Sequence, residues 1–385
     1  MYLATAPSLS DFTKPFTGAC GLEERLQVLD VATVDSAGLV DEWKALASRA
    51  SEPNPFFEQW FASSSLEQFA SGNDCRIATY WRGQSLVGLL PLVHSNDYYG
   101  HPLPHVSTWL HDNAFCGAPL VAKGCENGFW RALLRHLDAE PGPAMLLHLP
   151  DLPEHGPLNQ ALTSVLEETS RATSIVEREE RAMLASDMSA EEYLAEAMSA
   201  KKRKELRRQR NRLAELGELT FERLEGTQGV EPWIEQFLTL EASGWKGDAG
   251  SALKADETTY AFFADTLCGA ANAERLERLA LRLNGKPIAM LANFLTLPGA
   301  YSFKTAFDED YARFSPGLLL QLENLSLLNR PGVDWTDSCA VQGHSMIERI
   351  WREKRSFVSR NIAIGGPLRR FTARALMAYE TRGRS

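Results

Sequence analysis

The chain has 385 residues, of which 44% are apolar and 23% are charged. This balance is that of a folded globular protein and excludes a wholly disordered one, and the length suggests two domains or one large domain. Forty basic residues against fifty acidic ones give a net charge of −10, so general nucleic-acid binding is disfavoured and any anion site must be local.

Several further classes of protein are disfavoured because their characteristic sequence patterns are absent. No apolar run approaches the ~18 residues that a membrane-spanning helix needs, and the N-terminus lacks the pattern of a secretory signal. The 6 cysteines form no C-x-x-C pair, and the 8 histidines show no H-x-x-H spacing. We therefore expect reduced thiols, no metal site and a cytoplasmic location.

The first half of the chain predicts alternating helices and strands from its hydrophobic periodicity. Its clearest feature is a hairpin that turns at Arg82-Gly83-Gln84, where glycine permits a positive φ. In chain order, the predicted elements are a strand at 26–34, helices at 37–48 and 56–69, strands at 76–81, 86–93, 105–110 and 115–121, a helix at 126–137 and a strand at 144–149.

The second half repeats this order, again with a hairpin, at Asn284-Gly285. Its predicted elements are a strand at 219–224, helices at 230–242 and 258–271, strands at 278–283, 288–295 and 300–307, a helix at 316–328, a strand at 333–337, a helix at 345–354 and a strand at 357–364. The repeat predicts two similar α/β domains, at 1–186 and 187–385, each a mixed sheet covered by helices.

A basic segment lies between the two halves, and its helix-forming composition predicts a connecting helix at 199–215. Its basic residues are Lys201, Lys202, Lys204, Arg203, Arg207, Arg208, Arg210 and Arg212. The segment is either a solvated connecting helix or a clamp for the phosphates of a ligand.

The strongest local signal is the segment that follows the predicted strand at 300–307. A helix begins at Ser315-Pro316, with serine as an N-cap in the extended conformation that a following proline favours. The first backbone amides of that helix have no intrahelical partner and lie at the positive end of its dipole. They belong to Gly317, Leu318 and Leu319. With Arg313 as a countercharge, they predict a pyrophosphate site, although an ordinary capped helix is the alternative.

This strand, the Arg-x-x-x-Gly turn and the leucine-rich helix resemble the coenzyme-A-binding element of the GNAT acyltransferases. The segments 240–247, 301–317, 337–338 and 351–354 resemble the CelD-like, or BioF2-like, branch linked to cellulose biosynthesis. Proteins of that branch and the FemABX peptidyltransferases resemble fused GNAT domains. The resemblance therefore implies two tandem GNAT-like domains, each a mixed, mostly antiparallel sheet flanked by helices, and acetyl-CoA or another acyl-CoA as the donor.

Three residues are candidates for catalysis. Glu241 extends the apolar stripe of the helix at 230–242, and burial suits a carboxylate that must accept a proton near neutrality; pairing with Lys246 is the alternative. Lys304 lies in mid-strand, on the face opposite Tyr301, where it could stabilise an oxyanion or simply be ion-paired. Asp337 ends a strand, where ligands of α/β sheets gather.

The acceptor pocket is predicted from side chains near these positions. Its predicted lining is Trp245, Lys246, Tyr301, Asp308 and His344. His344 precedes the helix predicted at 345–354, so it is either a neutral base or a plain helix cap.

Direct acyl transfer to an amine needs a proton acceptor, a hydrogen-bond donor and positioning, but no covalent intermediate. Ser338 lacks the G-x-S-x-G turn of a hydrolase nucleophile, which agrees with direct transfer. We expect an acyl-CoA-dependent N-acyltransferase, with acetyl as the acyl group, acting on a small amine or amino sugar. The alternatives are a FemABX-like transferase that uses aminoacyl-tRNA, bound by the basic helix, and a non-catalytic scaffold in polysaccharide synthesis.

Overall fold

The computed structural model describes residues 16–17, 23–34, 37–70, 74–244, 250 and 252–382. The strands of these ranges are β1 Phe16–Thr17, β2 Glu23–Asp30, β3 Cys75–Arg82, β4 Ser85–Tyr98, β5 His101–Thr108, β6 Leu120–Val121, β7 Leu146–Pro153, β8 Thr173–Leu184, β9 Leu219–Glu225, β10 Leu276–Leu283, β11 Lys286–Thr296, β12 Gly299–Phe307, β13 Trp335–Asp337 and β14 Glu353–Ala363. The α-helices are α1 Ala37–Ala47, α2 Gln59–Phe69, α3 Glu126–Ala139, α4 Pro157–Glu168, α5 Ala190–Ala197, α6 Ala200–Ala214, α7 Val230–Ala242, α8 Glu257–Asn272, α9 Pro316–Asn324 and α10 Pro367–Thr381.

The chain forms two units, and each unit is assembled from separate segments. Unit 1 contains the described residues of 1–59, 72–178 and 358–385, and unit 2 contains those of 60–71 and 179–357. The division therefore falls inside β8 and β14 rather than at the predicted boundary after residue 186. Nearly all of α2, which the sequence places in the first domain, belongs to unit 2.

The sheet of unit 1 is mostly antiparallel. Its strands follow the order β1-β2-β3-β4-β5-β7, with the later part of β14 and the earlier part of β8 beyond β7. The pair of β5 and β7 is parallel, with Val106 opposite Leu147 and Ser107 opposite His148. Residue Gly88 on β4 lies under α3, because an added Cβ would come 2.5 Å from a ring carbon of Phe129.

Unit 2 has the same sequence of pairings. Its order is β8-β13-β12-β11-β10-β9, and β12 and β13 form the parallel pair, from Gly299 opposite Trp335 to Tyr301 opposite Asp337. The predicted hairpin of β10 and β11 turns at Asn284 and Gly285, both with positive φ. The fold prediction of mixed, mostly antiparallel sheets flanked by helices is confirmed.

An aromatic core explains why α2 belongs to unit 2. The ring of Phe61 lies 5.4 Å from that of Phe262 and 5.9 Å from that of Phe303, measured between centroids. Phe303 in turn stacks on Phe294 at 4.5 Å. The two contacts of Phe61 join residues more than 200 positions apart, so local periodicity could not have predicted them.

The helix predicted at 345–354 is wrong. Residues 345–350 form consecutive turns, and β14 already begins at Glu353. Ile347, Ile350 and Trp351 are all buried, which gives the spacing of an amphipathic helix without a regular helix. Among the described residues, no helix combines the length and the hydropathy that crossing a bilayer requires.

Replacing Gly88 with alanine should destabilise unit 1. The new Cβ would lie 2.5 Å from Phe129 and 3.1 Å from the Cβ of Tyr80, so either the ring or the strand must move. We expect a loss of about 1–3 kcal/mol in the free energy of urea unfolding. Gly38→Ala is the matched control, because open space surrounds that site in α1; it should be neutral or stabilising. Equal unfolding midpoints for the two variants would contradict this packing.

Candidate functional site

The start of α9 confirms the predicted helix boundary. A 3₁₀ segment at Glu309–Phe314 follows β12, and Asp308 caps it by accepting a hydrogen bond from the amide of Asp310. The helix α9 then begins at Pro316. Among the described residues, the amides of Gly317 and Leu318 have no hydrogen-bond acceptor, whereas that of Leu319 donates to the carbonyl of Ser315 at 3.0 Å. Two amides, rather than the predicted three, therefore lack an acceptor among the described residues, in a turn whose residues are buried.

The predicted conformation of Ser315 is wrong. Its φ of 55° and ψ of 52° are left-handed rather than extended, and its side chain caps no amide of α9. Ser315 is the single residue between the 3₁₀ segment and α9, and its own amide donates to Ala312. A left-handed residue changes the direction of the chain between the two helical segments. A residue before proline generally prefers the extended region, so that preference did not predict this conformation.

Gly317 has a packing role that the sequence did not indicate. An added Cβ would lie 3.2 Å from a ring carbon of Phe307 and 3.3 Å from the sulfur of Met346, so this side of the backbone is covered. The side chains of Leu318 and Leu319 are buried in two separate hydrophobic clusters. Only the backbone amides of this turn could therefore contact a ligand.

Cationic side chains are found on the elements next to the start of α9. Arg313 is exposed, makes no ion pair with another described residue, and places its guanidinium 4.7 Å from the ring centroid of Phe314. The predicted basic helix is confirmed as α6, which packs beside the 3₁₀ segment: Gln209 donates to the carbonyl of Arg313 at 3.3 Å, and Arg210 lies 3.6 Å from Glu323. The start of α9 and the basic helix thus share one region of unit 2.

A second polar cluster occupies the end of the parallel strand pair in unit 2. Asp337 is fully buried, and its two oxygens accept from the amide of Cys339 at 2.9 Å and pair with Arg355 at 3.1 Å. Arg355 also donates to the hydroxyl of Tyr301 at 3.2 Å and lies 4.1 Å from the ring centroid of Trp335. With both oxygens engaged, Asp337 is suited to positioning Arg355.

Sequence reasoning missed Arg355. A buried aspartate requires a cationic or hydrogen-bonding partner, so the prediction of Asp337 at a strand end implied that some partner exists. Nothing local indicated which of the many arginines it would be, because Arg355 comes from a strand 18 positions later.

The predicted alternation along β12 is broken at Phe303. The register with β11 shifts there, so that Ser302 pairs with Asn293 and Lys304 with the preceding residue, Ala292. Such a bulge changes the face on which the following side chains lie. Lys304 is half-buried, with its ammonium 5.5 Å from the ring centroid of Phe303.

The pKa of the Cys339 thiol depends on the charges around this cluster. Burial, followed by the negative charge of Asp337, raises its pKa, and the positive charges of Arg181, Arg355 and Lys304 oppose that rise. Lys304 therefore belongs to the same electrostatic neighbourhood as Asp337. The thiol stays protonated at neutral pH, which makes it a poor nucleophile.

The remaining predicted residues do not form one constellation. Glu241 is buried on α7, as its stripe predicted, and accepts a hydrogen bond from the amide of Leu253 at 2.9 Å. Asp308 pairs with Lys286 at 2.9 Å and raises the pKa of that lysine, chiefly through the hydrogen bond. His344 precedes turns rather than a helix. Trp245 and Lys246 lie outside the described residues.

Within the described ranges, no three histidine, cysteine or carboxylate side chains are grouped as metal ligands would be. The chemistry of this region therefore has to be considered through its backbone amides, its cations and its carboxylates.

A known family model matches part of unit 2. Residues 200–342 match the family model of the acetyltransferase (GNAT) domain. This domain contains both α6 and the start of α9, and it supports an acyltransferase. No curated protein sequence shows significant similarity to the chain.

Similar folds occur among solved structures. FemX is 11% identical, with a TM-score of 0.54 over 87% of this chain and 98% of FemX. A conserved protein of unknown function from Bacteroides thetaiotaomicron is 12% identical, with a TM-score of 0.51 over 88% of this chain and 98% of its own. The C-terminal domain of a putative lysylphosphatidylglycerol synthetase from Agrobacterium fabrum is 14% identical, with a TM-score of 0.50 over 89% and 96%. Identities this low show a shared fold alone.

Removing the guanidinium of Arg355 should strongly destabilise unit 2. Arg355→Met leaves the carboxylate of Asp337 buried and without its charged partner, which costs about 3–5 kcal/mol of unfolding free energy. The double variant Asp337→Asn/Arg355→Met removes the uncompensated charge and should recover much of that loss in urea titrations. A loss below about 1 kcal/mol in the single variant would show that the pair is not a structural requirement.

Proposed function

We propose that the chain is an acyl-CoA-dependent N-acyltransferase that transfers its acyl group, most simply acetyl, directly to an amine or amino sugar. The start of α9 is the observation that carries the proposal. Two amides that have no acceptor among the described residues are found there, four and five positions after Arg313, which makes no ion pair with another described residue. All three lie inside the segment that matches the acetyltransferase (GNAT) domain. A helix N-terminus with an adjacent arginine is a favourable site for a phosphate-bearing group.

The residues of this turn fit the diphosphate of coenzyme A through their backbone. Gly317 and Leu318 would donate their amides, and Arg313 would supply the countercharge. The exposed cations of α6 add a positive potential in the same region, although the chain as a whole has a net charge of −10. When bound, acyl-CoA supplies the thioester carbonyl that an amine attacks.

The other candidate residues would act on the acceptor. Glu241, buried and held by the amide of Leu253, would accept the proton of the attacking amine directly or through water. Lys304 would stabilise negative charge on the reacting carbonyl or hold an anionic part of the acceptor. Asp337 would position Arg355 and Tyr301. Trp245, Lys246 and His344 stay candidates for the acceptor pocket, and the CelD-like motifs keep a polysaccharide precursor among the acceptors.

A FemABX-like transfer from aminoacyl-tRNA is the second candidate. The exposed basic face of α6 favours it, because an RNA backbone would be drawn to that surface. The fold similarity to FemX is compatible with either candidate. We rank it second because the acidic net charge opposes the binding of a long polyanion.

Reversing the charge of Arg313 should weaken the binding of acetyl-CoA. In calorimetric titrations we expect Arg313→Glu to raise the Kd by about tenfold or more, since it places a carboxylate beside the diphosphate. Pantetheine, which has no diphosphate, should bind both proteins equally. Arg374→Glu, an exposed site of unit 1 with the same change of charge, is the matched control.

Unchanged acetyl-CoA affinity in Arg313→Glu would remove the assignment of this turn. Titration with tRNA at low and high salt separates the two candidates. Tight binding of tRNA with a steep salt dependence, together with no binding of acetyl-CoA, would favour the aminoacyl-tRNA transferase.

Replacing Glu241 with glutamine should slow the acyl-transfer step without weakening the binding of acetyl-CoA. The amide oxygen of glutamine can still accept from Leu253, but the side chain no longer accepts a proton. We expect release of the coenzyme A thiol with a panel of small amines to slow by about 10²–10⁴-fold, while the Kd of acetyl-CoA stays unchanged. Wild-type turnover in this variant would show that another group takes the proton.

A further inference from the structure

Unit 1 contains a polar pocket that the proposed transfer does not use. Its volume is about 320 Å³, and it lies beside the parallel pair of β5 and β7. The polar and aromatic residues that matter in its lining are Asp97, Tyr98, Tyr99, His105, Ser107 and His148. No lysine or arginine is among the described residues that line it.

A chain of hydrogen bonds fixes the tautomer of His148. The hydroxyl of Tyr98 donates to Glu380 at 2.8 Å, and the amide nitrogen of Asn361 donates to Tyr98 at 2.6 Å. The amide oxygen of Asn361 therefore faces Nδ1 of His148, at 2.8 Å. Because that oxygen can only accept, Nδ1 carries the hydrogen and Nε2 keeps a lone pair.

The lone pair of His148 is only weakly satisfied within the protein. The hydroxyl of Tyr99 lies 3.4 Å from Nε2, well beyond the about 2.8 Å that is usual for a hydroxyl donor. The residue Tyr99 is 60% exposed as a whole, but its hydroxyl is buried and shares a hydrogen bond with Ser359. Burial lowers the pKa of His148 to about 4, so the imidazole is neutral at pH 7.

A second imidazole lone pair lines the same pocket. Nδ1 of His105 lies 3.0 Å from the carbonyl of Leu103, which can only accept, so Nε2 of His105 also keeps its lone pair. His105 and Ser107 lie on the pocket face of β5, together with His148, which pairs with Ser107. Thr108 pairs with Leu92 on the other face of the strand, and its hydroxyl is too deeply buried to contact a ligand.

The charges around the pocket are negative. Asp97 lines it directly. Burial, and then the charge of Glu177, raise the pKa of the Tyr99 hydroxyl; a hydrogen bond with Ser359 opposes that rise, and the charges of Asp151 and Glu380 add to it. The rings of Tyr98 and Tyr99 pack edge to face at 4.8 Å. The pocket thus combines imidazole lone pairs, aromatic rings and carboxylates, and no lysine or arginine is among its described lining residues. Such a pocket would repel an anion and attract a cation that donates hydrogen bonds.

We propose that this pocket binds a small molecule through a primary ammonium group. An ammonium has three N–H donors and no acceptor, which complements the imidazole lone pairs of His148 and His105 and the carboxylate of Asp97. Asp97 supplies the countercharge, and the tyrosine rings accept a cation on their faces. The site stands independently of acyl transfer, because binding here requires neither α9 nor an acyl donor.

Three probes of one shape test this proposal on the full chain by ligand-observed NMR at pH 7: cyclohexylammonium, cyclohexanol and cyclohexanecarboxylate. We expect binding of cyclohexylammonium, with at least about tenfold weaker binding of the other two. Equal or tighter binding of cyclohexanol would show a site for neutral hydroxyl compounds, and tighter binding of the carboxylate would show an anion site. Either outcome would overturn the proposal.

Two conservative variants locate the site. His105→Phe keeps an aromatic ring against Tyr98 and removes the imidazole lone pair, so the ammonium affinity should fall about tenfold. Asp97→Asn keeps an oxygen for the amide of Gly100, which Asp97 binds at 2.7 Å, and removes the charge; the same direction is expected. Asp187→Asn, an exposed site of unit 2, is the matched control. Unchanged affinity in both pocket variants would place the ammonium elsewhere and refute the assignment.

Discussion

The short parallel pairing of β12 with β13 is the constraint on which the architecture of unit 2 depends. The two strands share register only from Gly299 to Tyr301 and from Trp335 to Asp337. Their carboxyl ends bring Tyr301 beside a buried aspartate, and a buried charge is stable only with a partner. Arg355 provides it from β14, so three strands are tied at one point.

The position of α9 follows from the same pair. The strand β12 continues to Phe307 after β13 has ended, and the 3₁₀ segment and α9 follow it directly. The first amides of α9 therefore lie where a strand leaves the parallel pair, a region in which α/β folds bind ligands. In unit 1 the corresponding pair of β5 and β7 is also short, and His148 lies on it. Both proposed sites therefore neighbour a short parallel pair.

The parts of the fold that depend on local sequence could be predicted. The turn at Asn284 and Gly285 needs positive φ at both residues, and the apolar stripe of α7 correctly indicated that Glu241 is buried. The start of α9 followed from Pro316, whose fixed φ suits a first helical residue. In each case neighbouring residues alone determine the outcome.

The predictions fail where contacts between residues distant in the sequence determine the local conformation. Ser315 is left-handed at the point where two helical segments meet. Phe303 lies at the register shift of β12, and its ring packs against those of Phe61 and Phe294. The buried residues at 347, 350 and 351 have helical spacing, yet they lie in turns. Conformational preferences averaged over many proteins contain no information on contacts between residues that are distant in the sequence.

The division of the chain inside β8 and β14 has a consequence for how the protein can be dissected. A fragment that starts at residue 187 would lose Phe61, so the rings of Phe262 and Phe303 would face water. Its counterpart, ending at residue 186, would lack the last strand residues and the C-terminal helix that complete unit 1. We therefore expect that neither half folds autonomously and that both aggregate when expressed separately.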